Sequence, residues 1–597
     1  MKKTLNAFFL LLALACVTSM PSSVSAHSMD RLHEHLPDNK YRITPRPLQI
    51  RFTAPLQAGG PIGVVVRFQA ISGNTTTVSA QQQWAGTSND QTFQYIKAYL
   101  DSGEQIYLKP QGQKRWRINT NPGQWIELHY YIPANRNADS SNTQYRAILN
   151  KNLFHAVGHL FLVLPEDGMT DLVNVNVQWQ DFEALNWRTA QAVAANPQQN
   201  KYEVLSKSAL LSSVFLAGDI HLHETLTPYG IVRVAMQKSD WLFSDEEFAS
   251  LSRQIVQSER EFFGEAVNPD AEPFLISLVE VDKGLDGISI GGTSLHNSFA
   301  MFANPAAKLM QTDFDEPNTT IGFVLAHEMM HQWIGHELKT SEDPEALGYW
   351  FTEGFTDYFS LHVLYQRRLI TLENYVAMLN GFLRNYWLNP KRNIDNVSIA
   401  HGFWHDRNIE RVPYQRGFLI AMLVDQRMRL VSDGRLRDMI QKMLEHSDGT
   451  TSHTAASNRS LLFNLQNRVG KDMGKHIRAV VQRGQTVDLS LDMLSPCLSL
   501  YKEAMGDFDP GFDLDRSEED KRITGLKVAS GAYRAGLRNG QDLAGWNISG
   551  NARVKSNVSV YTDKRGTTKT YEFLPVTQTT LVPQAKINEA SSCSTIL

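Results

Sequence analysis

Near the middle of this 597-residue chain, His327 and His331 stand four residues apart with Glu328 beside the first. On a helix, residues four apart share one face about 6 Å from each other, so both imidazoles can reach one ion. Glu328 then projects next to that ion, where a carboxylate can take a proton from water. The pattern is HExxH, and Val324, Leu325 and Ala326 give it the apolar setting of a buried helix. Catalytic zinc needs a third protein ligand and an open position. A third histidine in the arrangement HExxHxxGxxH is excluded, because Gly335 and His336 are adjacent and out of register. Glu337, Glu342, Glu345 and Glu353 remain, and only Glu353 lies inside a second convincing helical stretch, Trp-Phe-Thr-Glu-Gly-Phe-Thr-Asp-Tyr at 350–358. Asp357, one helical turn further on, is spaced to hold a ligand histidine in one tautomer.

The elements that must position these residues follow from periodicity. A helix is expected over 319–336, capped by Asn318 or Thr319, and another over about 349–368 after a loop with Pro344 and Gly348. Helical periods also cover 245–263 and 417–446, and an apolar strand is expected over 274–281. Upstream, short β-branched or aromatic runs at 63–69, 124–133, 160–164 and 172–179 predict an N-terminal β domain. After Pro496 the chain turns Gly-rich and strand-like. The expected organisation is therefore an N-terminal β domain at 27–238, a mixed α/β then mostly α catalytic domain at 239–495, and a small β domain with a tail at 496–597.

Residues 1–26 read as a cleaved export signal: Lys2 and Lys3, an apolar run from Phe8 to Val17, and a small-residue site at Val24, Ser25 and Ala26. The run is too short to span a bilayer, and no later segment is long and apolar enough. A periplasmic or secreted location is expected. The formal net charge is −4 and stays acidic without the leader. With no basic stripe interleaved with aromatics, nucleic acid is not an expected partner. Cys497 and Cys593 remain after the leader, and an oxidising compartment predicts that they pair. His155 with His159, and His221 with His223, are read as structural or surface histidines, not metal pairs.

HExxH followed by a glutamate in Trp-Phe-Thr-Glu-Gly-Phe-Thr-Asp-Tyr resembles the gluzincin zinc metallopeptidases. The match is closest to the glycyl aminopeptidase family and more distant to the aminopeptidase N family. The resemblance implies a β domain, a thermolysin-like catalytic domain and a C-terminal PDZ domain, with one zinc per molecule on His327, His331 and Glu353. It also implies that Tyr414, in Val-Pro-Tyr-Gln-Arg-Gly at 412–417, donates its phenolic proton to the substrate oxyanion. The substrate strand of these families matches 291–298, which includes Gly291, Gly292 and His296. There the sequence departs from its relatives, which carry a glutamate in this strand to grip the substrate amine; none is present here. Residues 528–543 resemble the strand-turn-helix-turn of bacterial PDZ domains, which bind the C-termini of polypeptides by adding a strand to a sheet edge. Asp509-Pro510-Gly511-Phe512 is a weaker match to the carboxylate-binding loop.

The reading is an exported zinc metallopeptidase, aminopeptidase-like, that uses metal-activated water with Glu328 as general base and acts on peptides or unfolded proteins. The alternatives are an endopeptidase acting on envelope or extracellular polypeptides, or a non-catalytic PDZ peptide-binding protein. The last is disfavoured because a structural zinc site has no need of Glu328 and normally closes its fourth position.

Overall fold

Alternation of apolar and polar side chains along Arg46–Thr53 (β1) sends Leu48, Ile50 and Phe52 to a single fully buried face. The computed structural model describes residues 45–597, apart from 72, 85–86, 89–92, 135–145, 167–171, 194–202, 282–289, 311–319, 339, 432–433, 446–456, 549–551, 564 and 578. Residues 1–26, read as a leader, and the cap candidates Asn318 and Thr319 lie outside the described residues. The molecule forms two units. The first is Met1–Gln311, Asn318–Lys339 and Ile440–Ala455, and the second is Thr312–Pro317, Thr340–Met439 and Ala456–Leu597.

In the first unit a seven-stranded sheet is built from β1, Ile62–Gln69 (β2), Gln94–Leu100 (β3), Gln105–Ile106 (β4), Trp125–Ile132 (β5), Leu172–Gln180 (β6) and Glu203–Ser206 (β7). Its order is β7-β6-β1-β2-β5-β3-β4, and β1 runs parallel to β6 with Arg46 opposite Val173. One core holds its inner face, including Phe52, Val66, Phe68, Phe154 and Phe161. The stretch 160–164 departs from expectation: Gly158–Phe161 is a single helical turn, and only Leu164–Pro165 pairs as strand. An apolar run buried on all sides carries no alternation by which to tell strand from helix.

A second, five-stranded sheet in this unit uses Ile220–Thr227 (β8), Gly230–Gln237 (β9), Phe274–Glu280 (β10), Ile290–Leu295 (β11) and Ser298–Ala303 (β12). The order β8-β9-β10-β12-β11 leaves β11 outermost, paired antiparallel to β12 alone. Helix Asp245–Phe262 (α1) begins with a capping box, the Ser244 hydroxyl accepting from Glu247 N and the Glu247 carboxylate accepting from Ser244 N. His221 and His223 both lie on β8 and meet Asp245 Oδ2 at 2.9 and 2.6 Å, which ties the strand to the start of α1.

His155 is fully buried, with Nε2 3.1 Å from Ser277 Oγ of β10. Burial pushes its pKa down to about 4 from 6.5. Between these values the unfolded protein binds a proton that the folded protein refuses, so stability falls as pH drops through that window, by up to about 3 kcal/mol. His155→Gln is expected to flatten this slope between pH 6.5 and 4. Urea titrations at several pH values measure it, and an unchanged slope contradicts the assignment.

The second unit carries short helix Tyr349–Thr352 and then helices Gly354–Gln366, Leu372–Leu388 and Arg407–Val431. Toward its end, Leu498–Met505 pairs antiparallel with Thr580–Ile587. Leu543–Asn547, Ser556–Tyr561 and Thr568–Phe573 form a three-stranded sheet over a small core of Phe512, Ile523, Ala532, Leu537, Val558 and Val560. Cys497 and Cys593 form a disulfide, with Cα atoms 4.7 Å apart. No helix among the described residues is long and apolar enough to cross a membrane.

Candidate metal centre

Helix Ile321–Met330 (α2) has no polar face: all ten residues are buried, which suits a helix enclosed by protein. Its N-terminus is capped by Thr320, whose hydroxyl accepts from Phe323 N at 3.3 Å. Its predicted extension to His336 is cut short. The helix ends at Met330 with His331 as its C-cap, after which the backbone turns, with Gly335 at φ 121° in a region that favours glycine.

That early turn orients a ligand. The backbone oxygen of Ile334 lies 2.9 Å from His331 Nδ1 and accepts its proton, which leaves Nε2 with its lone pair. His331 Nε2 is 3.1 Å from His327 Nε2, and the two rings are perpendicular. Two imidazole nitrogens so placed match neighbouring corners of a tetrahedron with zinc–nitrogen bonds of about 2.0–2.1 Å. One ligand atom each of His327, His331 and Glu353 lie within 4.8 Å of one another. His327 and Glu353 are 1% exposed and Glu328 5%, while His331 is half-buried. Two neutral nitrogens and one carboxylate oxygen suit zinc.

The expected single helix over 349–368 is two helices. Glu353 is the hinge, its φ/ψ of −93°/−47° separating Tyr349–Thr352 (α3) from Gly354–Gln366 (α4). Glu353 N still donates to Tyr349 O and Glu353 O accepts from Asp357 N, so Asp357 stays one turn further on, 1% exposed. Thr352 Oγ1 donates to Glu353 Oε1 at 3.2 Å. Tyr414 lies in the second turn of Arg407–Val431 (α5), just after Pro413, and is 8% exposed. Burial, then the charge of Glu353, hold its phenol well above the usual tyrosine range, so it is a proton donor at neutral pH.

Glu353 and Tyr414 are brought together by two glycines that sequence reading passed over. A Cβ on Gly417 would fall 1.9 Å from Trp350 O, and one on Gly354 would fall 2.2 Å from Gly417 Cα. The helices therefore touch backbone to backbone, one residue after the ligand and three after the tyrosine. Gly417→Ala is expected to push them apart and destabilise by about 1–3 kcal/mol. It should also lower turnover more than peptide affinity; thermal unfolding and steady-state kinetics check both.

Gly291 and Gly292 lie on β11, and Gly292 has a packing reason, since a Cβ there would fall 2.2 Å from the Phe299 ring. Ser294 Oγ accepts from Gln332 Nε2 at 2.7 Å, which ties this strand to the residue after His331. His296 lies beyond the strand, in the turn between β11 and β12: its N–H donates to Ser212 O and its carbonyl accepts from Ser298 Oγ. Glu280 accepts from Ser239 Oγ at 2.5 Å. A further buried acid went unpredicted. Glu259, on α1, is fully buried, and neither carboxylate oxygen has a hydrogen-bond partner among the described residues. Burial raises its pKa well above the usual range, against the pull of His327. A charged residue on the face that carries Ile255, Val256 and Phe262 was the available signal.

Residues 321–401, which hold both histidines and Glu353, match the family model of the M61 glycyl aminopeptidases. No curated relative matches the sequence. Among solved structures, an aminopeptidase N family protein from Idiomarina loihiensis shares the fold. Its TM-score is 0.63 at 15% identity, over 92% of this chain and 99% of that one. An M1 zinc metallopeptidase from Deinococcus radiodurans superposes with a TM-score of 0.42 at 12% identity, over 74% of this chain and 95% of that one.

Proposed function

We propose that this zinc metallopeptidase, whose metal segment matches the M61 glycyl aminopeptidases, hydrolyses peptide bonds with Glu328 as general base and Tyr414 as oxyanion donor. The observation that carries the reading is the donor set of buried His327, half-buried His331 and buried Glu353, with Glu328 next in sequence to the first ligand. Zinc bound there would polarise the scissile carbonyl and ease ionisation of water. Glu328 takes the proton of the attacking water and passes it to the departing amine. Tyr414, kept protonated by burial and by Glu353, donates its hydrogen bond to the oxygen that gains charge. Asp357 is the residue spaced to orient a ligand histidine. Tyr414→Phe removes one donor and keeps the ring, so kcat should fall roughly a hundredfold while KM changes little. An unchanged kcat would place the oxyanion donor elsewhere.

The substrate is a polypeptide laid along outer strand β11, where backbone pairing leaves side-chain choice open. Cleavage of interior bonds is favoured by one observation: Gly291 to Ser298 carries no acid, and a charge-assisted grip on a substrate ammonium contributes about 1.5 to 3 kcal/mol. Peptides with blocked and free N-termini are expected to be cut at comparable rates. A blocked peptide left intact while its free twin is trimmed would restore strict aminopeptidase action.

Export is supported by the leader and by the disulfide, which persists in oxidising compartments. N-terminal sequencing of fractionated protein tests it, with Ala26 as the expected cleavage point. The 496–597 region is proposed as a PDZ-like module for the C-termini of polypeptides. Its loop residue Asp509 accepts from Gly511 N, Lys527 Nζ and Thr577 Oγ1, which holds the loop in shape.

A further inference from the structure

Two residues after Tyr414 on α5, Arg416 is fully buried. Its Nη2 donates to Arg392 O at 2.9 Å and to Ile394 O at 2.6 Å, which seats the guanidinium against the turn that follows helix Leu372–Leu388. That turn is itself fixed to α5, since Asn389 Nδ2 donates to Asn408 O and to Gln415 Oε1, both at 2.9 Å. The other two nitrogens of Arg416, Nε and Nη1, are buried and meet no acceptor among the described residues, and the same holds for Nε of half-buried Arg392.

A third donor joins them. Tyr386, fully buried near the end of helix Leu372–Leu388, accepts from Val487 N at 3.0 Å, and its own hydroxyl proton has no acceptor among the described residues. Both guanidiniums act on this phenol through their charge, so the three groups share one neighbourhood. The acid that acts on Arg416 is Asp395, but its carboxylate is taken up in capping the next helix: Oδ1 accepts from Ser398 N and Oδ2 from Ser398 Oγ, at 2.9 and 2.7 Å. Among the described residues neither arginine forms an ion pair. Burial lowers the pKa of Arg416 to about 10, which still leaves it charged at neutral pH.

An unpaired buried cation is strongly destabilising. Every free group here is a donor and two of them carry positive charge, so a water molecule, which brings no charge, leaves that cost standing. A small anion removes it and accepts from all three.

We infer that Arg416, Arg392 and Tyr386 bind a chloride ion, which ties the start of α5 to the turn at 389–395. The site is enclosed and offers few donors, so it suits a single-atom anion over a phosphate or a carboxylate, whose several oxygens each need partners. The ion steadies the stretch of α5 that carries Tyr414. The inference concerns binding alone and does not depend on the peptidase reading.

The test uses the full-length protein in sodium gluconate, whose anion is too large for an enclosed site, with chloride exchanged in at constant ionic strength. The unfolding midpoint of the parent is expected to rise by about 2 °C and to level off as the site fills. Crystals grown with bromide should show an anomalous peak within hydrogen-bonding reach of the free nitrogens of Arg416 and Arg392. Arg416→Met keeps a long side chain without the charge, and should lose both the shift and the peak. Arg392→Met, at the half-buried position, serves should the first variant misfold, and should raise the chloride concentration for half the shift about tenfold or more. A parent indifferent to chloride, a folded variant with the parental response, or bromide crystals with only water beside Arg416 overturns the inference. A shift with formate and none with chloride overturns the choice of ion and gives the site to a carboxylate.

Discussion

Glu328→Gln is expected to keep its zinc and lose turnover by at least a hundredfold. Gln has the volume and shape of Glu, so the helix Ile321–Met330, buried along its whole length, has no reason to rearrange. His327 and His331 still present their Nε2 atoms 3.1 Å apart, and Ile334 O holds the tautomer of His331. What disappears is the only basic oxygen that follows directly on the first ligand. Proton transfer by a positioned group contributes about 10²–10⁴ in rate. Glu328 is 5% exposed, so bulk water is poorly placed to substitute. Steady-state kinetics on a peptide substrate, with metal content measured on the same sample, decide the matter. Near-parental turnover with zinc bound would move the base to another residue, and a loss of metal together with turnover would leave the role of Glu328 unproven by this variant.

The second large effect is on stability. Cys497 and Cys593 are 96 residues apart in sequence and both fully buried. By loop-closure entropy, a cross-link over that length withdraws about 4 to 5 kcal/mol of freedom from the unfolded state. The bond secures a tail whose last residues are themselves docked: Ile596 O accepts from Gln426 Nε2 at 3.1 Å and from an Arg435 guanidinium nitrogen at 3.2 Å, and Leu597 O from Gln366 Nε2 at 3.0 Å. Those bonds reach α4 and α5, the helices that position Glu353 and Tyr414. Arg435 also pairs with buried Asp425, which accepts from Tyr358 OH at 2.7 Å, so the tail ends on a charged knot inside the bundle. In Cys593→Ser, amide exchange across the Leu498–Met505 and Thr580–Ile587 pair is expected to speed up by about three orders of magnitude. Parental protection in this variant would mean that the docked tail alone holds the unit.

The metal centre was legible in one dimension because its chemistry is local. The four-residue spacing of His327 and His331 sets their shared face by helical geometry alone, and Glu328 comes with them. The second motif named Glu353 through its apolar and aromatic surroundings, and burial of Trp350, Phe351 and Phe355 is what made that stretch read as a helix. The alternating strand β5 was equally plain, since period-two patterning decides both element and face. Non-local features were not legible. No pattern announces that Gly354 and Gly417 meet backbone to backbone, because that contact joins residues 63 positions apart on helices whose approach is set by the whole bundle. The break at Glu353 and the early end of α2 at Met330 are decided the same way, by packing that overrides helix propensity. Cys497 and Cys593 could be counted, but only the folded protein brings their Cα atoms to 4.7 Å.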